Sequence, residues 1–477
     1  MKFNTMKFNT LKLDAPEFST PEFNSLARAL LAAGLLLTAL PGHADTVNLQ
    51  QAVEMSLAAD PRIKESEQVV EAARGLLQEA QGHDGWRVGV NAFVGVVPQV
   101  EGGFYQGGAQ SCTAFPCTPR SDSDDWNGLS DWTHIGFALI KPLYTFGKVE
   151  HYSEAAQGNI DIKRGELKQT RTDTVYETKR AYYGYLAARD IRVYLEDIQA
   201  RLQKELVSVE KNLKDETGAA KQSDLYALQT VQGLLAKYGN QARALEKISL
   251  DGLKVLTGVG LKGELSVTDE RLDPVPFPQT ELAELQSRAL QGRPEMEQLE
   301  AGLRARRALV AAKKADRMPD VYAGLVGEFN YASQRESLDN PYTNDFFNSG
   351  GLTPVVGVKW DTIFEVASAR VNQAQAELEA LNHKKAFALE GVPFEVSEAY
   401  AYAQSNFKSQ QELATSATAA RRWVVASLAD FAAGIERADR MVEALKNYVL
   451  TQTEYVRAIN DYNMNVAQLA RLTGELK

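Results

Sequence analysis

The sequence predicts a mainly α-helical chain with a smaller β part of membrane-barrel type, written twice over as helix, strand, strand, long helix, helix. Three observations carry this reading. Marker residues recur in the same order in both halves. Two stretches run to lengths that only packed helices reach. Four segments of about ten residues each are apolar on one face and small or polar on the other, which is the weak signature of a membrane β-strand.

The chain has 477 residues, a net charge of −10 and 44% apolar residues. That is too polar for a bundle of transmembrane helices and too apolar for a disordered chain. The acidic balance argues against a general nucleic-acid binder, which needs a basic face for phosphate. The only strongly apolar segment is Ala29–Leu40, twelve residues, against about 20 for a spanning helix. Arg28 precedes it, and Pro41, Gly42, His43 and Ala44 follow, with small residues at −3 and −1 of a cut after Ala44. Residues 1–44 are therefore expected to be a secretory signal peptide. The pentapeptide Met1–Thr5 is repeated at Met6–Thr10.

The duplication organises the rest. Leu49, Leu57 and Pro61 recur as Leu282, Leu290 and Pro294, each 233 residues later. Leu256-Thr257-Gly258 recurs as Leu472-Thr473-Gly474 and Gly218 as Gly434, both at offset 216. Ala181-Tyr182 recurs as Ala399-Tyr400. The first repeat is placed at 45–263 and the second at 281–477. Between them, about 264–280, Pro274, Pro276 and Pro278 forbid helix and favour an extended linker.

Each repeat opens with a helix, about 47–82 and 281–317, where apolar residues fall at helical spacing. Strands are expected at about 86–98 and 132–144, then at 320–331 and 354–361. Ile135, Phe137 and Leu139 alternate with Gly136, Ala138 and Ile140; Val321, Ala323, Leu325, Phe329 and Tyr331 alternate with Gly324, Glu328 and Asn330. A long polar loop lies within each strand pair, about 102–130 and 332–353. After each pair comes a helical stretch, 148–215 or 367–433, which at 1.5 Å per residue reaches roughly 100 Å. Breaks are expected at Thr217-Gly218, at Gly391-Val392-Pro393 and near Gly434, with helix resuming over 223–255 and 437–472. Helices this long must pack on one another as coiled coils. Four strands per chain leave open sheet edges, which lipid does not tolerate, so strands that enter a membrane require oligomerisation.

The segment Lys141-Pro142-Leu143-Tyr144-Thr145-Phe146-Gly147-Lys148, with Ala155-Ala156 after it, resembles the strand-to-helix signature of the outer membrane efflux proteins, the TolC-like channels. The Leu-Thr-Gly closing each half and the helix–glycine–helix turns at Gly218 and Gly434 resemble that family as well. The resemblance covers essentially all of residues 45–477. It implies a homotrimer whose twelve strands form one barrel in outer-membrane lipid, continued by a coiled-coil tube through the periplasm of a Gram-negative bacterium. It further implies a passive export duct that meets a periplasmic adaptor (membrane fusion) protein and an inner-membrane pump of RND or ABC type, in a tripartite efflux pump or a type I secretion system. The alternative is a periplasmic coiled-coil scaffold or adhesin without a pore.

The same resemblance implies that Gly218 and Gly434 mark the periplasmic tip. In the family a polar residue six positions after the first glycine links neighbouring coils, and Asp224 stands there. Acidic residues six and nine positions after the second glycine ring the aperture; Arg440 and Glu443 stand there, with Asp439 adjacent. The family's basic residue at plus two is Glu436, with Arg437 next to it. A slip of one residue restores both charges.

The chain has two cysteines, Cys112 and Cys117. In an oxidising compartment a local disulfide is expected, with two free thiols as the alternative. Gly258-Val259-Gly260-Leu261-Lys262-Gly263 spells G-x-G-x-x-G, but it follows a helix and leads into the linker, so helix-capping glycines are the better reading. The five histidines are scattered, and neither H-E-x-x-H nor G-x-S-x-G occurs. No enzymatic activity, cofactor, metal or nucleic acid is expected.

Overall fold

The computed structural model describes residues 45–99, 105, 115–119, 128–215, 221–335 and 346–476. The first half runs β1 (Asp45–Val47), α1 (Leu49–Ala59), α2 (Pro61–Gly82), β2 (Arg87–Pro98), β3 (Leu129–Tyr144), α3 (Lys148–Lys214), α4 (Gln222–Leu256) and β4 (Leu265–Val267). The second runs α5 (Leu282–Gly292), α6 (Pro294–Ala315), β5 (Asp320–Ala332), β6 (Ser349–Lys359), α7 (Phe364–Ala432) and α8 (Ala438–Leu472). The order helix, helix, strand, strand, long helix, helix is the same in both.

Three expectations need correction. The opening helix of each repeat is two helices. Asp60 caps α1 and Pro61 starts α2; Arg293 caps α5 and Pro294 starts α6. A proline lacks the N–H that the preceding turn needs, but it suits the first position of a new helix. The matched prolines of the duplication are thus its matched breaks. Conversely, α7 runs unbroken through Pro393 over 69 residues. One missing hydrogen bond, about 3 kcal/mol, does not interrupt a helix held by packing on both sides of it. Finally, β6 starts five residues before the expected 354, because Ser349–Thr353 stay in register with β5. Gly258 and Gly474, which close the two Leu-Thr-Gly markers, have φ of +75° and +74° and end α4 and α8.

Two compact units can be described, each by itself. The smaller, residues 71–160 and 301–383, holds a four-stranded antiparallel sheet of order β2-β3-β5-β6. It is open, with β2 and β6 at its edges. The passage from β3 into α3 turns at Phe146 and Gly147, with φ of +52° and +81°. Lys148 then reaches Asp320 at 2.8 Å, tying the first turn of α3 to the start of β5. At Gly158 of α3 the backbone passes so close to Ala305 of α6 that an added Cβ would lie 2.7 Å from the alanine Cβ. Alanine at 158 would force those helices apart.

The larger unit comprises, among the described residues, 45–70, those within 161–300, and 384–476. Its main core is a seam of four helices. Leu195, Leu202 and Val209 of α3, Leu228 and Leu235 of α4, Val424 of α7, and Met441, Leu445 and Tyr448 of α8 are all buried in it. Spacings of seven along α3 and α4, and of four and three along α8, are those of a coiled-coil seam.

A second core holds the linker. β4 pairs in parallel with β1, Asp45 opposite Leu265. The Tyr182 hydroxyl donates to Asp269 at 2.8 Å, and the Leu272 N–H donates to the buried Asp190 at 2.9 Å. Burial pushes the Asp190 carboxyl up, against the opposing pull of that N–H. Asn463 of α8, 1% exposed, accepts from the Val275 N–H and donates to the Asp273 carbonyl, both at 2.9 Å. Asn463→Ala leaves both backbone groups without a partner and is expected to cost about 1–3 kcal/mol. Urea titration of the detergent-solubilised protein checks this, and a loss of only a few tenths would deny the clamp.

Candidate functional site

The register across β2, β3, β5 and β6 assigns every residue of the sheet to a face. On one face, Val90 sits beside Phe137, then Gly327, then Leu352. The row on one side is Val88, Leu139, Leu325, Pro354; on the other it is Ala92, Ile135, Phe329, Gly350; beyond that come Val94, Thr133 and Tyr331. These rows carry no charge. From Val88 to Val94 they cover about 20 Å along the strand, on the scale of the roughly 25 Å apolar band of an outer-membrane barrel. Val88, Val90, Val94, Leu352 and Val356 are all exposed, Val94 to 75%. Trp86, Tyr144 and Trp360, also exposed, flank the band at one end, where aromatic girdles belong.

The opposite face is different in kind. Its rows read Gly89, Ala138, Val326, Thr353; then Asn91, Gly136, Glu328, Gly351; then Phe93, His134, Asn330, Ser349. A polar ladder crosses all four strands. Asn91 lies 3.5 Å from His134 Nε2, His134 Nδ1 lies 2.7 Å from Asn330 Oδ1, and Asn330 Nδ2 donates to Ser349 at 3.0 Å. Phe93 stacks on His134, with ring centres 4.6 Å apart. The alternation expected of Ile135, Phe137, Leu139, Leu325, Phe329 and Tyr331 holds. The cross-strand ladder was not readable beforehand, since register decides it.

The second candidate region is the helix–turn–helix after α7. Gly434 has φ +74°, and the N–H groups of Ile435 and Glu436 return to the Asp430 carbonyl at 2.9 and 3.2 Å, closing α7 with a glycine cap. Arg437, the residue just before α8, pairs with Asp439 at 3.2 Å; both are exposed, so the pair is worth about 0–1 kcal/mol. Ala438, Met441, Leu445 and Tyr448 face the core. At about 100° per residue, Asp439 and Glu443 share the strip directly opposite that core, and Arg440 lies about 60° from Glu443. The acidic pair of this turn is thus Asp439 with Glu443, one residue displaced from the expected Arg440 with Glu443. Among the described residues neither Arg440 nor Glu443 has an ion-pair partner. One Glu436 carboxylate oxygen is buried without a hydrogen bond. Asp224 is occupied: its carboxylate accepts the Lys221 N–H at 3.0 Å and caps α4. Gly218 lies outside the described residues. Cys112 does too, while Cys117 is disulfide-bonded.

Among the described residues no group of three or more His, Cys, Asp or Glu side chains could hold a metal ion, and no helix is long and apolar enough to cross a membrane. A cleft of about 390 Å³ beside Arg62, Glu65, Ser66, Lys163, Glu166 and Asp173 is lined mostly by charges already paired, such as Lys163 with Glu166 at 3.0 Å. It offers no nucleophile with a base.

Residues 285–475 match the sequence profile of the family described as outer membrane efflux protein. Those residues belong to that family. No match is found among curated proteins. Solved structures extend the likeness in fold to nearly the whole chain. The Campylobacter jejuni outer membrane channel CmeC superposes with a TM-score of 0.73 at 14% identity, over 95% of this chain and 94% of that one. The Vibrio cholerae outer membrane protein VceC gives 0.68 at 14% identity, over 89% and 96%. The open state of the Neisseria gonorrhoeae outer membrane channel MtrE gives 0.64 at 16% identity, over 90% of each. At these identities the likeness is one of fold, and it includes the first half that the family profile does not reach.

Proposed function

We propose that the chain is one subunit of an efflux channel in the outer membrane of a Gram-negative bacterium, extending into the periplasm and acting as a conduit without enzymatic activity. The two-faced open sheet carries this reading. An apolar face whose four middle rows carry no charge, with Lys141 and Asp131 only at its two ends, suits lipid, a small and polar face suits water, and unpaired edges at β2 and β6 must be closed by further copies. Three copies supply twelve strands, the number the family resemblance favours. The long helices continue the duct toward a periplasmic adaptor and an inner-membrane pump, of a tripartite efflux or type I secretion assembly.

The turn at Gly434 is the gate. Each copy shows Asp439 and Glu443 on one strip of α8 and Arg440 on the next. In a ring, the arginine of one copy can meet the carboxylates of its neighbour and hold the aperture shut. Planar-bilayer conductance of the purified protein, with its mass by light scattering, tests the channel. A trimer with small conductance supports it; a monomer that is soluble without detergent and never conducts favours the scaffold instead. Charge reversal tests the gate. Arg440→Glu and Glu443→Arg should each raise conductance severalfold, and the double swap should close the channel again. Singles that conduct like the parent would place the gate elsewhere.

A further inference from the structure

The water-facing side of the sheet carries a depression that the conduit reading does not use. Its volume is about 470 Å³, and Asn91, Gly136, Ala138, Val326, Glu328 and Gly351 are among the residues around it. Glu328 is the only charged residue in the three middle rows of that face, from Gly89 to Phe93; Arg87, Asp320 and Lys359 lie on the same face toward its end. The cross-strand neighbours of Glu328 are glycines on both sides, Gly136 and Gly351. No side chain therefore shields the carboxylate, and among the described residues it has no ion-pair partner. On the far side of Gly136 stands Asn91, whose Oδ1 lies 2.1 Å from where a Cβ of residue 136 would be. The glycine leaves a slot one strand wide between an amide and a carboxylate.

The polar ladder fixes which atoms face that slot. Asn330 Nδ2 donates to Ser349, so its Oδ1 is the acceptor toward His134. His134 Nδ1 then donates to it, and Nε2 faces Asn91 Nδ2 at 3.5 Å. Asn91 is left presenting Oδ1 over Gly136. Two acceptors, one of them charged, converge on a glycine floor. Beside them, Ala138, Val326 and Val355 form an apolar wall. A bare divalent ion would need six or more oxygens, which one carboxylate and one amide do not provide. An ammonium group needs few acceptors, and an alkyl stem would lie on the wall.

We propose that this basin is a binding subsite for protonated primary amines with an apolar stem, placed on the lumen side of the barrel. The proposal rests on the channel reading, and its test separates the two. In bilayers under a KCl gradient, the parent should prefer K⁺ over Cl⁻ and be blocked by n-butylammonium. Glu328→Gln keeps the shape and removes the charge; it should lower the K⁺ preference and raise the half-blocking concentration roughly tenfold. Conductance with block unchanged in Glu328→Gln overturns the site. Absence of conductance overturns the channel but leaves a second measurement, calorimetric titration of the detergent-solubilised chain with n-butylammonium. Heat in the parent that is lost in both Glu328→Gln and Gly136→Val supports the basin, and equal heat or none overturns it.

Discussion

Val90→Arg should strip the protein from the outer-membrane fraction, while Gly89→Arg, one residue earlier on the same strand, should leave it there. Val90 lies in the middle of the uncharged rows of its face, beside Phe137. An arginine at the centre of a barrel's lipid face costs about 2–4 kcal/mol, and an oligomer bears that cost once per copy. Gly89 faces the other way, where Ala138 is its only near neighbour, at 3.9 Å from an added Cβ, so a long side chain has room. Membrane fractionation followed by urea titration in lipid vesicles reads both variants. If the two arginines behave alike, the sheet does not present one face to lipid and one to water.

Leu445→Ala should be the most damaging single truncation in the helical unit. Leu445 is 1% exposed within the four-helix seam, among Met441, Leu228 and Val424. Removing a buried leucine side chain typically costs about 3–5 kcal/mol, because its surroundings close only partly over the gap. Glu443→Ala, two residues away on the exposed strip, should stay within about 0.5 kcal/mol. Equilibrium unfolding of the detergent-solubilised protein compares them. A loss below about 1 kcal/mol for Leu445→Ala would mean that the seam is not tightly packed in solution.

The architecture was legible in the residues to an unequal degree. Pattern residues are local, so the long helices and three of the four strands emerged within a few residues of their observed ends. The features that the residues alone do not show depend on partners. Pro393 has the chemistry of a breaker, but packing along α7 overrides it. Pro61 and Pro294 read in the sequence as markers of duplication rather than as helix starts, because the apolar spacing continues past them. The beginning of β6 is Ser-Gly-Gly, which has no strand propensity of its own; pairing with Phe329 and Asn330 makes it a strand. The acidic strip of Asp439 and Glu443 became visible only once Met441 and Leu445 showed which side of α8 is inward. Glu328 was visible as a polar residue in an alternating strand. Its glycine neighbours on β3 and β6 were not, since they lie about 190 and 20 residues away in the chain and only register brings them alongside.

The sheet order β2-β3-β5-β6 places one hairpin from each repeat edge to edge, so β3 meets β5 where the two copies of the ancestral unit join. Under the duplication β3 corresponds to β6, and β5 to β2. In the proposed ring, β6 of one molecule meets β2 of the next, so the junction inside the polypeptide rehearses the one between polypeptides. A ring of three such molecules is a quasi-sixfold object. A substitution that tunes one hairpin flank can be tried on its counterpart about 215–235 positions away, and the covalently enforced seam supplies the register for the one that forms by collision.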